Sequence, residues 1–217
     1  MSQFRRAKTE DIKALQELYF AVYGSTYPLP LGQDPVVMRG ILTNEENQWY
    51  VVDGEHGKLI SSCIFEVEPV YQISRVSGLV VHPAYRGRNI AQHLLHSGLE
   101  ELFSSKEIRT VYATTRTVSL PPQVTFLKEA FLPLGISPNA HRLESFETLT
   151  LMATYNKNIS FERNKSISLP YELKALVEIT QKNFPSWFKD SVSYYEKPKE
   201  PREKKETLGF EIIYAPN

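Results

Sequence analysis

SGLVVHPAYRGRNIAQHLLHSGLEE, the stretch at residues 77–101, decides the fold of this 217-residue chain. It opens with an apolar run from Leu79 to Val81, which stops at His82-Pro83. It closes with apolar residues at helical spacing, namely Ile90, Leu94, Leu95 and Leu99. A short apolar run that ends at turn residues predicts a strand, and apolar residues every three to four positions predict an amphipathic helix. We therefore predict a strand, a tight turn and a helix.

The turn between these two elements has the chemistry of an anion site. Gly87 has no Cβ, so the backbone can pass close to a bulky anion. The unpaired N–H groups in the first turn of the helix point at such an anion, and Arg86 and Arg88 add positive charge. The pattern suits a phosphate or pyrophosphate, although it is neither a P-loop nor a dinucleotide fingerprint. The alternative is a surface turn whose arginines are merely solvated.

The segment VVHPAYRGRNIA within this stretch resembles the acetyl-coenzyme A motif of the GNAT N-acetyltransferases. The core pattern of that motif is Arg/Gln-x-x-Gly-x-Gly/Ala, with Arg86 in its first position and Ala91 in its last. Asn89 stands where the middle glycine is usual. Asparagine enters the left-handed region more readily than most residues, so the departure is tolerable.

The elements predicted around the motif follow the order of that family, β-α-α-β-β-β-α-β-α-β. The predicted strands cover residues 3–7, 49–52, 59–67, 73–81, 109–115 and 144–155. Thr9 is predicted to cap the first helix, Asp34 to cap the second, and the last helix is predicted to span residues 121–134. The resemblance implies an α/β fold of the α+β kind: a mixed, mainly antiparallel sheet flanked by helices, with a C-terminal extension.

The same resemblance divides the chain into two parts. Residues 1–155 are predicted to form the acetyl-CoA-binding domain. Residues 156–217 are predicted to form an extension of unknown role, with a helix within 168–184, a charged loop at 197–206 and an apolar terminal strand at 208–215. That strand needs a partner sheet: it packs on the core, pairs with another subunit in a homodimer, or begins a further structure.

What the resemblance implies chemically is transfer of an acetyl group from acetyl-CoA, as cosubstrate, to an amine in a ternary complex. The backbone of the motif strand would hold the pantetheine arm through Leu79, Val80 and Val81. The N–H groups of the turn and the helix start would hold the pyrophosphate, at Arg86, Gly87, Arg88, Asn89, Ile90 and Ala91.

The catalytic groups follow less directly from the family pattern. Amine attack needs a base, and the preceding strand offers Glu66 and Glu68, which alternate with Phe65 and Val67. The family tract that contains a proton-donating tyrosine aligns here through Gly135, which puts Phe131 at the tyrosine position; phenylalanine donates no proton. Gln123 supplies an amide one residue before the usual asparagine, so we expect it to contact the cofactor.

The acceptor is expected to be an amine of a small molecule or of a protein. Three tracts resemble bacterial members of the family that acetylate β-lysine or polyamines: YGSTYPLPLGQDP, QVTFLKEAFLPLG and NAHRLESFETLTL. A cationic acceptor would find acidic or aromatic groups in Glu144, Glu147, Tyr23 and Tyr27. The alternative is a GNAT-fold sensor or interaction domain that binds an acyl-CoA and turns over little.

Composition argues against several other classes of protein. Lys and Arg number 25, as do Asp and Glu, so bulk charge favours binding to neither nucleic acid nor an anionic membrane. No apolar run approaches the roughly 18 residues of a membrane span, and the start, MSQFRRAKTED, lacks the apolar core of a signal peptide. A single cysteine, Cys63, fits a reducing compartment, and we expect a cytoplasmic location. His93 and His96 are interpreted as a polar helix face, with no metal.

Overall fold

A seven-stranded sheet forms the centre of the first of two units into which tertiary contacts divide the chain, residues 1–160 and 161–217. The computed structural model describes residues 4–26, 29–105, 107–142, 145–159, 166–183 and 191–196. The strands of the first unit are β1 Phe4–Arg6, β2 Gln48–Asp53, β3 Leu59–Glu68, β4 Ile73–Val81, β5 Thr110–Arg116, β6 Leu132–Arg142 and β7 Phe146–Tyr155. Its helices are α1 Ile12–Tyr23, α2 Pro35–Thr43, α3 Ile90–Ser105 and α4 Leu120–Lys128.

The sheet is mainly antiparallel, with the strand order β1-β2-β3-β4-β5-β7-β6. Every neighbouring pair is antiparallel except β4 and β5, which run parallel because α3 crosses over between them. This architecture confirms the predicted mixed, mainly antiparallel sheet flanked by helices. The stretch at residues 77–101 supplies the end of β4, the turn and most of α3, as predicted.

Two apolar layers cover the faces of the sheet. Successive side chains of β3 point to opposite faces, so Ile64 and Phe65 belong to different clusters although both are fully buried. One cluster packs under α3 and α4 and includes Phe65, Leu94, Leu95, Val111 and Met152. The other packs under α1 and α2 and includes Leu15, Tyr19, Met38, Trp49 and Ile64. Burial on both faces explains why β2 and β3 read as nearly continuous apolar runs.

Of the two predicted N-cap residues, Thr9 is wrong and Asp34 is confirmed. Thr9 does not cap α1: residues Thr9–Asp11 form a 3-10 turn ahead of the helix, and the Asp11 carboxylate accepts the backbone N–H of Lys8 at 2.8 Å. The carboxylate of Asp34 does cap α2, since it accepts the N–H of Val36 at 2.8 Å with Pro35 in the first helical position.

The region after α4 differs from the prediction. The helix predicted for residues 121–134 ends at Lys128, because Ala130 takes up φ +58° and the chain leaves the helical path. Residues Leu132–Arg142 then form β6, a strand absent from the predicted set. Pro133 lies within this strand because β6 is the edge strand of the sheet, and an edge strand tolerates prolines, which donate no hydrogen bond.

The second unit contains a small β-α-β arrangement. Strands β8 (Ser166–Pro170) and β9 (Ser191–Tyr195) pair in parallel, and α5 (Lys174–Asn183) lies between them in sequence. The helix predicted within 168–184 is confirmed as α5, which follows the 3-10 turn Tyr171–Leu173. The charged loop at 197–206 and the terminal strand at 208–215 lie outside the described residues. Among the described helices, none combines the length and the apolar character that a membrane span needs.

Candidate functional site

The sheet opens between its two parallel strands. β4 and β5 pair only from Ile73 opposite Thr110 to Val76 opposite Ala113. Beyond these pairs, β4 stays with β3 and β5 stays with β7, so the two halves of the sheet separate. The backbone groups of residues 77–81 that face the opening therefore have no strand beside them. An extended ligand can take the place of the missing strand through main-chain hydrogen bonds.

A β-bulge in β4 lies at the start of this opening. The register shifts between Ser62 and Ile64 of β3, and over that step β4 advances by one residue more than β3. Gly78 in the bulge has φ +57°, and a Cβ there would lie 2.4 Å from the Tyr19 hydroxyl oxygen. That hydroxyl donates a hydrogen bond to the Gly78 carbonyl at 2.9 Å. The bulge thus requires glycine and is held from the α1 side.

The turn from β4 to α3 exposes backbone donors. Gly87 and Asn89 have φ +76° and +57°, which confirms that Asn89 enters the left-handed region in place of the usual glycine. After Arg86, the next residue in the described part of the chain whose backbone N–H donates to a backbone carbonyl is His93. It donates to the carbonyl of Asn89 at 3.0 Å. The N–H groups of residues 87–92 are left for a ligand. A Cβ built on Gly87 meets nothing within 4 Å, so the space above it is open.

The two arginines of the turn add charge to these donors. Arg86 folds back, and its Nε lies 3.4 Å from the Val81 carbonyl oxygen at the end of β4. The Arg88 guanidinium carbon lies 5.2 Å from the centre of the Tyr85 ring. Both side chains are exposed. Free N–H groups at a helix start beside two guanidinium groups form an arrangement that favours an anionic group such as a pyrophosphate.

The remaining predicted cofactor residues line the opening mainly through their backbones. Leu79 packs against the cluster under α3, and Val80 is buried in the cluster under α1. Val81, Ile90 and Ala91 are half-buried. Their side chains serve the packing, so a role in binding falls to their main-chain groups. Their binding roles stay predictions.

Gln123 lies on the other side of the opening. Its amide nitrogen donates to the carbonyl of Arg116 at 3.3 Å and to that of Ser119 at 3.1 Å. These bonds tie the first turn of α4 to the end of β5. The amide therefore has a structural role in this conformation, and contact with the cofactor stays a prediction.

The two candidate bases differ in their surroundings. Glu66 and Glu68 project from the face of β3 opposite Phe65 and Val67, which are buried under α3. The Glu66 carboxylate accepts a hydrogen bond from the Ser77 hydroxyl of β4 and lies 3.6 Å from the Arg75 guanidinium. Glu68 is exposed at the end of β3, opposite the first residue of β4. Glu66 is therefore the candidate that faces the strand bordering the opening.

The end of α4 favours a different alignment of the family tract from the one through Gly135, which put Phe131 at the tyrosine position. The left-handed residue that ends α4 is Ala130, not Gly135, and Gly135 lies within β6. Ala130-Phe131 therefore corresponds to the Gly-Phe pair of the family tract, which moves the tyrosine position five residues back to Phe126. Phe126 and Phe131 are both buried and their rings contact each other edge to face. The helix still offers no proton donor at this position.

Three further groups surround the mouth of the opening. Arg116, the last residue of β5, binds Glu147 of β7 through Nε and Nη2, each at 2.5 Å. This hydrogen-bonded pair raises the pKa of Arg116. Glu147 therefore presents a neutralised carboxylate rather than the free acidic group expected for a cationic acceptor. Sequence reasoning missed Arg116, although an arginine at the end of the strand beside the motif strand is the signal that could have revealed it.

Tyr23, the last residue of α1, completes this group. It is half-buried against the cluster under α1, and burial raises the pKa of its hydroxyl, while the charges of Arg116 and Arg86 lower it. Of these two arginines, Arg116 ends β5 and Arg86 lies in the turn after β4, so the charges that lower the pKa of Tyr23 come from both sides of the opening. The other two predicted pocket residues, Glu144 and Tyr27, lie outside the described residues.

Comparison with known proteins assigns this geometry to a family. The model of the acetyltransferase (GNAT) family matches residues 12–128. N-acetyltransferase YodP of Bacillus subtilis is 30% identical over 115 residues, which are 53% of this chain and 40% of YodP. Beta-lysine N(6)-acetyltransferase of Methanococcus maripaludis is 22% identical over 133 residues, which are 61% of this chain and 47% of that protein. The chain thus spans less than half the length of these curated relatives.

Solved structures share the fold. RimL, the ribosomal L7/L12 alpha-N-protein acetyltransferase, in complex with coenzyme A, superposes with a TM-score of 0.61 at 13% identity. The match covers 71% of this chain and 93% of that structure. At this identity the likeness concerns the arrangement of helices and strands.

Proposed function

The chain belongs to the acetyltransferase (GNAT) family, and on that premise we propose that it transfers the acetyl group of acetyl-CoA to a primary amine by direct attack in a ternary complex. The observation that carries this proposal is the opening between β4 and β5. No strand lies beside residues 77–81 on the side away from β3, and among the described residues the N–H groups of residues 87–92 donate to no backbone carbonyl. The opening offers a strand-like path for the pantetheine arm that leads to an anion site at the start of α3.

Each part of acetyl-CoA has a matching part of the opening. The pyrophosphate would accept hydrogen bonds from the N–H groups of the turn, next to Arg86 and Arg88. The pantetheine amides would pair with the β4 backbone in place of β5. The thioester would then lie near the bulge at Gly78, where the two halves of the sheet begin to separate.

Glu66 is the proposed base. A primary amine is protonated near neutral pH and must lose a proton before it can attack the thioester carbonyl. The Glu66 carboxylate faces the same side of the sheet as α1 and is oriented by the Ser77 hydroxyl. From β3 it would act through a water molecule, because one strand separates it from the opening.

The acceptor is proposed to be a small primary amine of the lysine type. The support is the similarity to a relative named as a beta-lysine acetyltransferase and the carboxylate of Glu66 on the α1 side of the sheet. A protein amine is the other acceptor that the family allows. A cytoplasmic location and a homodimer belong to the same proposal.

Release of free thiol from acetyl-CoA in the presence of amines tests the proposal. The panel contains β-lysine, lysine, spermidine, an aminoglycoside and a lysine peptide, each measured against a sample without acceptor. Thiol release above background with one of the amines, together with an acetylated product detected by mass spectrometry, is the expected result. The absence of both for every amine, in a protein that still binds acetyl-CoA, would contradict catalysis.

That negative result would support the second candidate, an acyl-CoA-binding sensor with little turnover. The observation in its favour is Phe126, which stands where many members of the family have a proton-donating tyrosine. A sensor would bind acetyl-CoA as tightly as an enzyme, so binding measurements alone do not distinguish the two functions.

A further inference from the structure

The proposed reaction leaves one group without an assigned partner. As the C–S bond of the thioester breaks, the departing sulfur of coenzyme A carries a negative charge and needs a proton. Phe126 at the usual position on α4 has none to give. The hydroxyl of Ser77 is engaged with the Glu66 carboxylate. A donor must therefore come from another element beside the opening.

The C-terminal end of α1 reaches this place. Tyr19 and Tyr23 are four residues apart, so they lie on one face of the helix, one turn apart. The Tyr19 hydroxyl donates to the Gly78 carbonyl in the bulge at 2.9 Å and lies 3.3 Å from the Ser62 hydroxyl. Tyr19 therefore marks where α1 crosses the start of the opening, and Tyr23 lies one turn from Tyr19 on the same face of the helix.

The charges around Tyr23 support the same position. Arg86 follows the end of β4, and Arg116 ends β5, and both act on the Tyr23 hydroxyl. Burial outweighs them and raises the pKa of Tyr23 above its ordinary value, which favours the protonated hydroxyl. Once that proton is given away, the same two guanidinium groups would stabilise the tyrosinate.

We propose that the Tyr23 hydroxyl is the proton donor to the coenzyme A sulfur in this chain, an inference that rests on the acetyl transfer proposed above. The amine nitrogen forms a bond to the acetyl carbon, and the tetrahedral intermediate collapses with cleavage of the C–S bond. The electron pair of that bond stays on sulfur, which takes the proton from Tyr23 Oη. The ammonium nitrogen loses two protons by way of the base to solvent, one before attack and one as the intermediate collapses. The tyrosinate regains one proton from solvent, so the products are an amide, a neutral thiol and one released proton.

Two other described tyrosines near the sheet fit the role less well. Tyr85 lies in the turn between the His82 and Arg88 side chains, at the proposed pyrophosphate end. Tyr112 lies on the part of β5 that is still paired with β4, opposite Arg75. Neither shares a helix face with Tyr19, whose hydroxyl contacts the bulge.

The ionisation of bound coenzyme A tests the contact without any acceptor. The full chain is titrated with pH in the presence of saturating coenzyme A, and the thiolate is followed by its ultraviolet absorbance. A hydroxyl that donates to the thiolate lowers the pKa of the thiol, so Tyr23→Phe should raise that pKa by about one pH unit. Tyr71→Phe is the matched control, because Tyr71 is exposed in the turn between β3 and β4, and it should leave the thiol pKa unchanged.

Turnover provides the second measurement. With the best amine of the panel, Tyr23→Phe should lower kcat about tenfold or more and leave the Kd of acetyl-CoA unchanged within about twofold. A folded Tyr23→Phe protein with a wild-type thiol pKa, or with a wild-type kcat, overturns the proposal. If the wild-type chain turns over none of the amines, the proposed function fails, but the thiol pKa still decides whether Tyr23 reaches the sulfur.

Discussion

Glu66 illustrates how a single side chain is set by its neighbours on two strands. Its carboxylate accepts a hydrogen bond from Ser77 and lies 3.6 Å from Arg75, both on β4. Its orientation is therefore fixed by the strand that borders the proposed thioester site. Glu68, two residues along the same strand and on the same face, is exposed. The two carboxylates thus make a matched pair for mutation.

Glu66→Gln is predicted to lower kcat about 100-fold with little effect on the Kd of acetyl-CoA, because an amide cannot take a proton from the amine or from a bridging water. Steady-state kinetics with the best acceptor and calorimetry with acetyl-CoA measure the two quantities. Glu68→Gln is the control and should behave like the wild type. A Glu66→Gln protein with full kcat would remove Glu66 from the mechanism.

At the residue scale, the sequence predicted backbone conformations better than side-chain roles. The left-handed conformation of Asn89 could be predicted because it depends on the residue and its immediate turn. The identity of the residue at the tyrosine position could not, because it depends on where α4 ends. Ala130 takes the left-handed conformation that glycine usually supplies, and no local signal in the sequence marks it.

Among the elements, β4 is the one that determines the site. Its bulge lets the strand leave β5 and still stay paired with β3 to Val81. The bulge depends on Gly78, which combines a positive φ with a close approach to Tyr19 and Ile64. Gly40, in contrast, lies within α2, and a Cβ there meets nothing within 4 Å.

Gly78→Ala is predicted to lower the free energy of unfolding by about 2 kcal/mol, because alanine is strained at this φ and its Cβ would collide with the Tyr19 hydroxyl. Gly40→Ala should raise the free energy of unfolding by roughly 0.5–1 kcal/mol, since alanine is favoured over glycine inside a helix. Urea denaturation of both variants measures these changes. Equal stability of Gly78→Ala and the wild type would contradict the account of the bulge.

The stabilising effect of one contact between α3 and the residue that follows α4 depends on pH. His96 of α3 lies 2.8 Å from the carboxylate of Glu129, just after α4, and that carboxylate also accepts a hydrogen bond from Gln92 at 3.0 Å. The Glu129 carboxylate raises the pKa of His96 above its ordinary value of 6.5. The contact therefore stabilises the fold fully below that value, and its contribution is lost as the pH rises through the higher pKa of the folded state.

His96→Gln is accordingly predicted to destabilise the protein at about pH 6 and to have little effect at about pH 9. The side chain of His96 is 55% exposed, so solvent screening limits the loss to less than about 1 kcal/mol. Urea denaturation at both pH values measures the difference. His93→Gln, an exposed position on the same helix, is the control, and a loss of stability that is equal at the two pH values would contradict the role of the ion pair.

The element that the sequence analysis missed in the sheet is β6, the strand at its edge. The strands β2 to β5 could be predicted because their apolar residues lie in runs that are bounded by clear turn residues. β6 could not, because Pro133, Gly135 and Pro138 interrupt its pattern, and only its place at the edge of the sheet makes a strand with prolines possible.

For the whole molecule, the central feature is that the sheet separates into two halves where the parallel pairing of β4 with β5 ends. Strands β1 to β4 form one half and β5 to β7 the other, and within each half the neighbouring strands are paired by backbone hydrogen bonds. The proposed cofactor site lies in the gap between them, at the N-terminus of α3. The sequence predicted the motif on one side of the gap, but the other side, with Arg116 and Glu147, depends on strand order and could not be predicted from local patterns.

Calorimetric titration with acetyl-CoA of the wild type and two glycine variants tests the central claim most directly. Gly87 and Gly57 have nearly equal positive φ angles, +76° and +72°, and a Cβ meets nothing within 4 Å at either position. Glutamate therefore adds the same strain and the same charge at both, but only Gly87 lies in the proposed pyrophosphate site. We predict that Gly87→Glu weakens binding at least about 100-fold through repulsion of the phosphates, while Gly57→Glu binds like the wild type. Wild-type affinity in a folded Gly87→Glu protein would contradict the assignment of this turn as the cofactor site.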